Sequence, residues 1–225
     1  MHFQFPKPLH GWRALLGEVG VVLLGVLLAL GAQQLVETIS GNAQLREFRS
    51  ATDDELSYDL GAYKQRLSLT PCVRARLAEL DRVIASYRAG KPIAVHGLAR
   101  LPVGFSLRTS VWAGRTADAS ARMPLQTRLA YSSTYDDLAN YDAHRVDERV
   151  TWQQLGDFDD ASELSKADLM RLRGLVNRLR WLDFIMMQNW PELAQRARGL
   201  GIYPRRDPRD PPLDRGVCST YLPAS

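Results

Sequence analysis

Asp137, Asn140, His144 and Glu148 recur three or four residues apart, so on a helix they share one face. Carboxylates and an imidazole at that spacing could ligate a metal or move protons. The other side of the same stretch carries Leu125, Leu129 and Val146. An apolar side turned to a core and a polar side turned to water accounts for the pattern without any metal. The remaining histidines, His2, His10 and His96, form no ligand pair at three- or four-residue spacing.

Asp183 is the more informative acid. It interrupts an apolar stripe, between Leu179 and Met187, where a charge is costly unless paired. Arg180, three residues earlier, is the nearest local cation, and an arginine from another helix serves equally well. A ligand-binding or catalytic carboxylate is the other reading, because perturbed groups also gather at sites. Beyond these residues the chain has no G-x-S-x-G, H-E-x-x-H, phosphate-binding loop, dinucleotide glycine pattern or C-x-x-C. The expectation is a chain that is not an enzyme and has no cofactor or metal site.

The elements that would position these residues begin with an apolar helix. Val19 to Val36 reads VGVVLLGVLLALGAQQLV, 18 residues without a charge. At a rise of about 1.5 Å per residue this is about 27 Å, close to the thickness of a hydrocarbon core. Leu15 and Leu16 extend it upstream, and Trp12 sits where an interfacial aromatic would. A retained anchor over 15–36 is the leading expectation; a cleaved leader ending near Ala29-Leu30-Gly31 and a soluble core helix are the alternatives. Glu18, Gly25, Ala29 and Ala32 share one face of the span. A lone anchor with an interfacial acid explains them, and so does a packing face against another membrane subunit.

Orientation rests on little. Lys7 and Arg13 precede the span and Arg46 and Arg49 follow it, a two-against-two tally that leaves the positive-inside rule undecided. Cys72 and Cys218 are the only cysteines. A disulfide between them would suit an oxidising periplasm, while two unrelated buried thiols are the alternative. The expectation is a short cytoplasmic N-terminus over 1–14 and a soluble part outside, at a bacterial inner membrane.

Past the span, residues 37–202 read as a helical domain. Leu45, Phe48, Thr52, Leu56, Tyr63 and Leu67 form a narrow stripe at helical spacing. Thr70-Pro71 then resembles a helix start, with Val73, Leu77, Leu80, Ile84 and Tyr87 repeating up to a stop at Gly90-Lys91-Pro92. A helical hairpin is the simplest reading, and a proline-kinked continuous helix is the alternative. Residues 92–109 read as a long irregular connection and Ser110 as the start of a short helix. A long helix follows from Pro124 to about Leu155, its stripe being Leu125, Leu129, Tyr135, Ala139, Val146 and Val150. Ser165 and Asp168 form a capping signal for the last helix, where Trp181 to Met187 is apolar nearly all round, as at a bundle centre. Prolines 204, 208, 211 and 212 make 203–225 an extended tail. The fold class is therefore all-α: an N-terminal transmembrane helix, then an antiparallel helical bundle with a long irregular connection and a Pro-rich tail.

Leu16-Gly17-Glu18-Val19 leading into the apolar run, Ser106 to Trp112 (SLRTSVW), Met123-Pro124-Leu125, Leu129-Ala130-Tyr131 and Asp168 to Arg173 (DLMRLR) resemble single-pass proteobacterial inner-membrane proteins of unassigned activity. Those proteins share a Gly-Glu-started anchor and a helical soluble domain. The resemblance implies no activity and carries over no catalytic residue.

Composition narrows the partners. The chain has 225 residues and a net charge of +4, and 25 of its 29 cations are arginine, spread along its length. Diffuse arginine does not make a nucleic-acid surface. The expected partners are the lipid bilayer and other membrane or periplasmic protein subunits. The leading function is a membrane-anchored scaffold or accessory subunit, and the alternative a periplasmic ligand-sensing bundle.

Overall fold

The computed structural model describes residues 12–93, 107–159, 163–206 and 216–219. Among them there are helices and turns and no strand: the chain is all-α. The helices are α1 (Trp12–Ser68), α2 (Thr70–Arg88), α3 (Ser110–Ala113), α4 (Ala117–Arg122), α5 (Leu125–Leu155) and α6 (Lys166–Gly199). Most of the connection expected over 92–109, and the tail prolines 208, 211 and 212, lie outside the described residues.

The chain divides into two compact units, 1–48 and 49–225. In the first, α1 is long and apolar enough to cross a membrane, with a window of mean hydropathy 2.3. Its leucines and valines from Leu15 to Val36 are all exposed. Glu18, Gly25, Ala29 and Ala32 are exposed with them, and a Cβ added at Gly25 would meet no atom within 4 Å.

In the second unit the end of α1, α2, α5 and α6 enclose the core. Thr70-Pro71 does not reverse the chain. Leu69 keeps right-handed helical angles, its N–H donates to Arg66 O at 3.1 Å, and Val73 N–H donates back to Leu69 O at 2.9 Å. Proline's missing N–H is harmless in a first turn, so α2 continues α1 after one turn residue and the hairpin does not form. Leu69, Val73, Leu77, Leu80, Trp152, Leu155, Leu172, Val176 and Leu179 build one buried cluster.

The helix ends follow local rules. Ser165 and Asp168 form a complete capping box: each side chain accepts the other's backbone N–H. After α6, Gly201 at φ +80° lets Ile202 N–H reach Ala197 O at 2.9 Å, and Ile202 is buried. That turn returns the chain to α1, where Arg205 N–H donates to Ser57 O at 2.8 Å. Gly61 makes the approach possible, because a Cβ there would overlap the Arg205 carbonyl.

Of the stripe expected to face the core from α5, only Tyr135 is buried. Leu125, Leu129, Val146 and Val150 are 40 to 55% exposed. The buried face instead carries Tyr131, Thr134, Tyr135, Leu138, Tyr141, Arg145, Glu148, Thr151, Trp152 and Leu155. Three tyrosines and a tryptophan bury more apolar area than four aliphatic side chains, and the hydroxyls of Tyr131 and Tyr135 donate to Asp53 and Glu55 of α1. The 181–187 stretch of α6 is likewise buried on one side only. Leu182 and Met186 are inside, while Trp181 and Phe184 are 45 and 54% exposed.

Candidate functional site

Two clusters of charge lie inside the second unit, both gathered around α1. Its buried side reads Thr52, Glu55, Leu56, Asp59, Leu60, Tyr63 and Arg66, charged residues in register with the apolar ones.

The lower cluster centres on Arg66, which is 3% exposed. Its guanidinium forks onto Glu148 of α5, with Nε at 2.9 Å from Oε2 and Nη2 at 2.5 Å from Oε1. Nη2 also reaches Asp183 Oδ1 of α6 at 3.3 Å. Thr70 Oγ1 donates to the same oxygen at 3.0 Å, and Arg74 Nε donates to Asp183 Oδ2 at 3.0 Å. Thr70 thus serves Asp183 rather than capping α2. Burial alone would weaken the Arg66 charge, but the hydrogen bonds and charge of Glu148 more than reverse this and push its pKa upward. Above the cluster Tyr63 stacks on Tyr141 at 3.6 Å between ring centres. Its hydroxyl donates to Met186 O at 2.7 Å, beside the rung of α6 that Pro191 cannot complete.

This corrects the local partner expected for Asp183. Arg180 points away and pairs with Asp81 of α2 at 2.7 Å and with Asn177 at 3.0 Å. Asp183 lies on the buried side of α6 and Arg180 on the exposed side, so a cation from α1 neutralises the acid instead. Glu148 is corrected with it: the side chain assigned to a solvated face is 3% exposed. Its sequence companions disperse. Asp137 pairs with Arg196 of α6 at 3.0 Å, His144 meets the Trp181 ring edge-on at 5.7 Å, and Asn140 is exposed.

The upper cluster fastens the short helices to α1. Glu55 accepts Val111 N–H at 2.9 Å, Trp112 N–H at 3.2 Å and Tyr135 O–H at 2.6 Å. The Trp112 ring stacks on Tyr135 at 5.2 Å. Asp59, one turn along α1, accepts Arg108 N–H at 2.9 Å on Oδ1, while its buried Oδ2 has no partner. Burial pushes the Asp59 carboxyl up to about 7. The Arg108 N–H opposes that rise and the charges of Glu55 and Asp142 add to it. Burial raises Tyr135 as well, and its bond to Glu55 raises it further.

Chemically, these clusters are consumed by the fold: each carboxylate but Asp59 spends both oxygens on donors from neighbouring elements. Among the described residues no group of three or more His, Cys, Asp or Glu side chains is placed to hold a metal. An open surface cleft between α2 and α6 is lined by Asp81, Ile84, Ala85, Arg88, Ala89 and Arg173. Cys72 and Cys218 are bonded to one another, which fixes the short turn Gly216–Cys218 on α2. Arg76, buried beside them, bonds Glu79 at 2.6 Å and the Ser219 carbonyl.

Sequence inspection missed Arg66, Glu55 and Asp59. The signal that exposed Asp183, a charge in register with buried apolar positions, is present at all three. No family model matches the chain, and no curated protein or solved structure matches it either.

Proposed function

We propose that the protein is a membrane-anchored helical interaction module, a scaffold or accessory subunit, whose second unit faces the oxidising side of a bacterial inner membrane. The observation that carries the interaction reading is the inversion of α5. Leu125, Leu129, Val146 and Val150 lie outside, while the buried charges are spent on internal pairs. Aliphatic side chains at i, i+4 spacing on an exposed helix face are what a partner helix recognises. The Cys72–Cys218 bond supports the oxidising side, since structural disulfides persist there and not in a reducing cytosol. The exposed apolar part of α1 supports the anchor.

The test is purification of the full chain in mild detergent beside the Leu129→Glu/Val146→Glu variant. The wild type is expected to carry a stoichiometric membrane or periplasmic companion that the variant loses while keeping its helicity and disulfide. A monomeric wild type, indistinguishable from the variant, refutes the reading. Thiol labelling of intact cells addresses the side: Cys72 and Cys218 should stay unlabelled until reductant is added.

A further inference from the structure

The outward side of α6 has a second character, unlike that of α5. From Lys166 to Arg198 exposed positions recur three or four residues apart along its outward side. They include Met170, Trp181 and Phe184, together with the cations Lys166, Arg173, Arg180 and Arg198; the exposed acid beside them, Glu192, is paired with Arg196. Arg180 is held by Asp81, but among the described residues no carboxylate pairs with Lys166, Arg173 or Arg198. Trp181 and Phe184 stand 45 and 54% exposed on the stripe. A helix that offers a tryptophan, a phenylalanine and a methionine between arginines, on a side whose exposed acid Glu192 is already paired, has the composition of an interfacial helix. Its aromatic bodies enter the headgroup boundary and its cations reach phosphate.

We propose that this side of α6 docks on the surface of an anionic phospholipid bilayer. The argument is charge complementarity. Lys166, Arg173 and Arg198, which no carboxylate pairs with among the described residues, suit anionic headgroups, while the apolar side chains between them suit the boundary beneath. A protein partner with an acidic face is the competing occupant. The inference rests on the anchored reading above, because a chain held at a membrane meets that surface at high effective concentration.

The test reconstitutes the full chain in vesicles of phosphatidylcholine, with or without phosphatidylglycerol, containing acyl chains brominated near the headgroup. Tryptophan emission is compared between wild type and Trp181→Phe, so that the difference reports Trp181 alone. With phosphatidylglycerol the Trp181 emission should be lost to bromine and protected from aqueous iodide. Without it, or in high salt, or in Lys166→Glu/Arg173→Glu/Arg198→Glu, the emission should return. Trp181 open to iodide in both lipids overturns the proposal. Trp181 shielded from iodide yet untouched by bromolipid overturns it in favour of a protein occupant. Carbonate extraction of the same vesicles reads the anchor separately. If the chain washes out, the anchored reading falls, and quenching by vesicles added from outside then decides the α6 stripe.

Discussion

Asp59 is the side chain whose charge state the fold leaves open. Its Oδ1 holds the Arg108 N–H, its Oδ2 holds nothing, and burial lifts its pKa from 3.8 to about 7. The folded protein therefore binds a proton more tightly than the unfolded chain. That stability is present in full below the unfolded carboxyl's 3.8 and is lost as pH rises to about 7. Above neutrality a charged Asp59 sits among Glu55, Asp142 and the Tyr135 hydroxyl, with the Arg108 N–H as its donor. Asp59→Asn keeps the acceptor for Arg108 and removes the charge. Urea unfolding of the full chain should show the wild type losing up to about 4 kcal/mol between pH 4 and pH 8. The variant should lack this slope and be the more stable protein at pH 8. Parallel profiles for the two proteins would refute the argument.

At the scale of the element, α1 decides how its neighbours turn. Arg66 on α1 needs acids, so α5 and α6 present Glu148 and Asp183 inward and carry aliphatic and aromatic side chains outward. Removing one partner of such a buried set leaves the others uncompensated, at about 3–5 kcal/mol. Gly61 on α1 has a different duty. The segment after α6 crosses it so closely that a methyl group would strike the Arg205 backbone. Gly61→Ala should cost about 1–3 kcal/mol despite alanine's better helix propensity, since backbone must move. Hydrogen exchange at Arg205, whose N–H bonds Ser57 O, should rise at least tenfold in that variant. Unchanged exchange and stability would mean that the crossing is looser than described. Some of this level was readable in advance. The capping box at Ser165 and Asp168 and the stop at Gly90 both appear where the residues forecast them. The buried face of α5 does not, because the aliphatic stripe and the tyrosine-rich face were both amphipathic answers to one sequence.

At the scale of the whole chain, the disulfide is the longest covalent tie, joining residues 146 apart. Closing a loop of that length limits the unfolded ensemble and stabilises the fold by about 4–5 kcal/mol. It also seats Val217, 2% exposed, against the cluster of α2 and α6, next to Arg76 and its bond to the Ser219 carbonyl. Cys72→Ser/Cys218→Ser should melt roughly 10 °C or more below the wild type. Reductant should lower the wild type to the same temperature and leave the variant unmoved. A wild type indifferent to reductant would refute the claim.

By itself the sequence determined what local geometry and bulk hydropathy determine. An uncharged apolar stretch made one helix long enough for a membrane, and side chains three residues from a helix start capped it, because those interactions lie within a turn of the backbone. It also marked Asp183 as needing a cation, since a charge in an apolar register is costly wherever its partner lies. Only the tertiary structure decided which cation. Arg66 and Asp183 are 117 residues apart and Arg66 and Glu148 are 82 apart, distances over which spacing carries no information. The same assembly decided which side of α5 faces water. Once α1 had brought a buried guanidinium, the face that could neutralise it went inside and the aliphatic face was left outside.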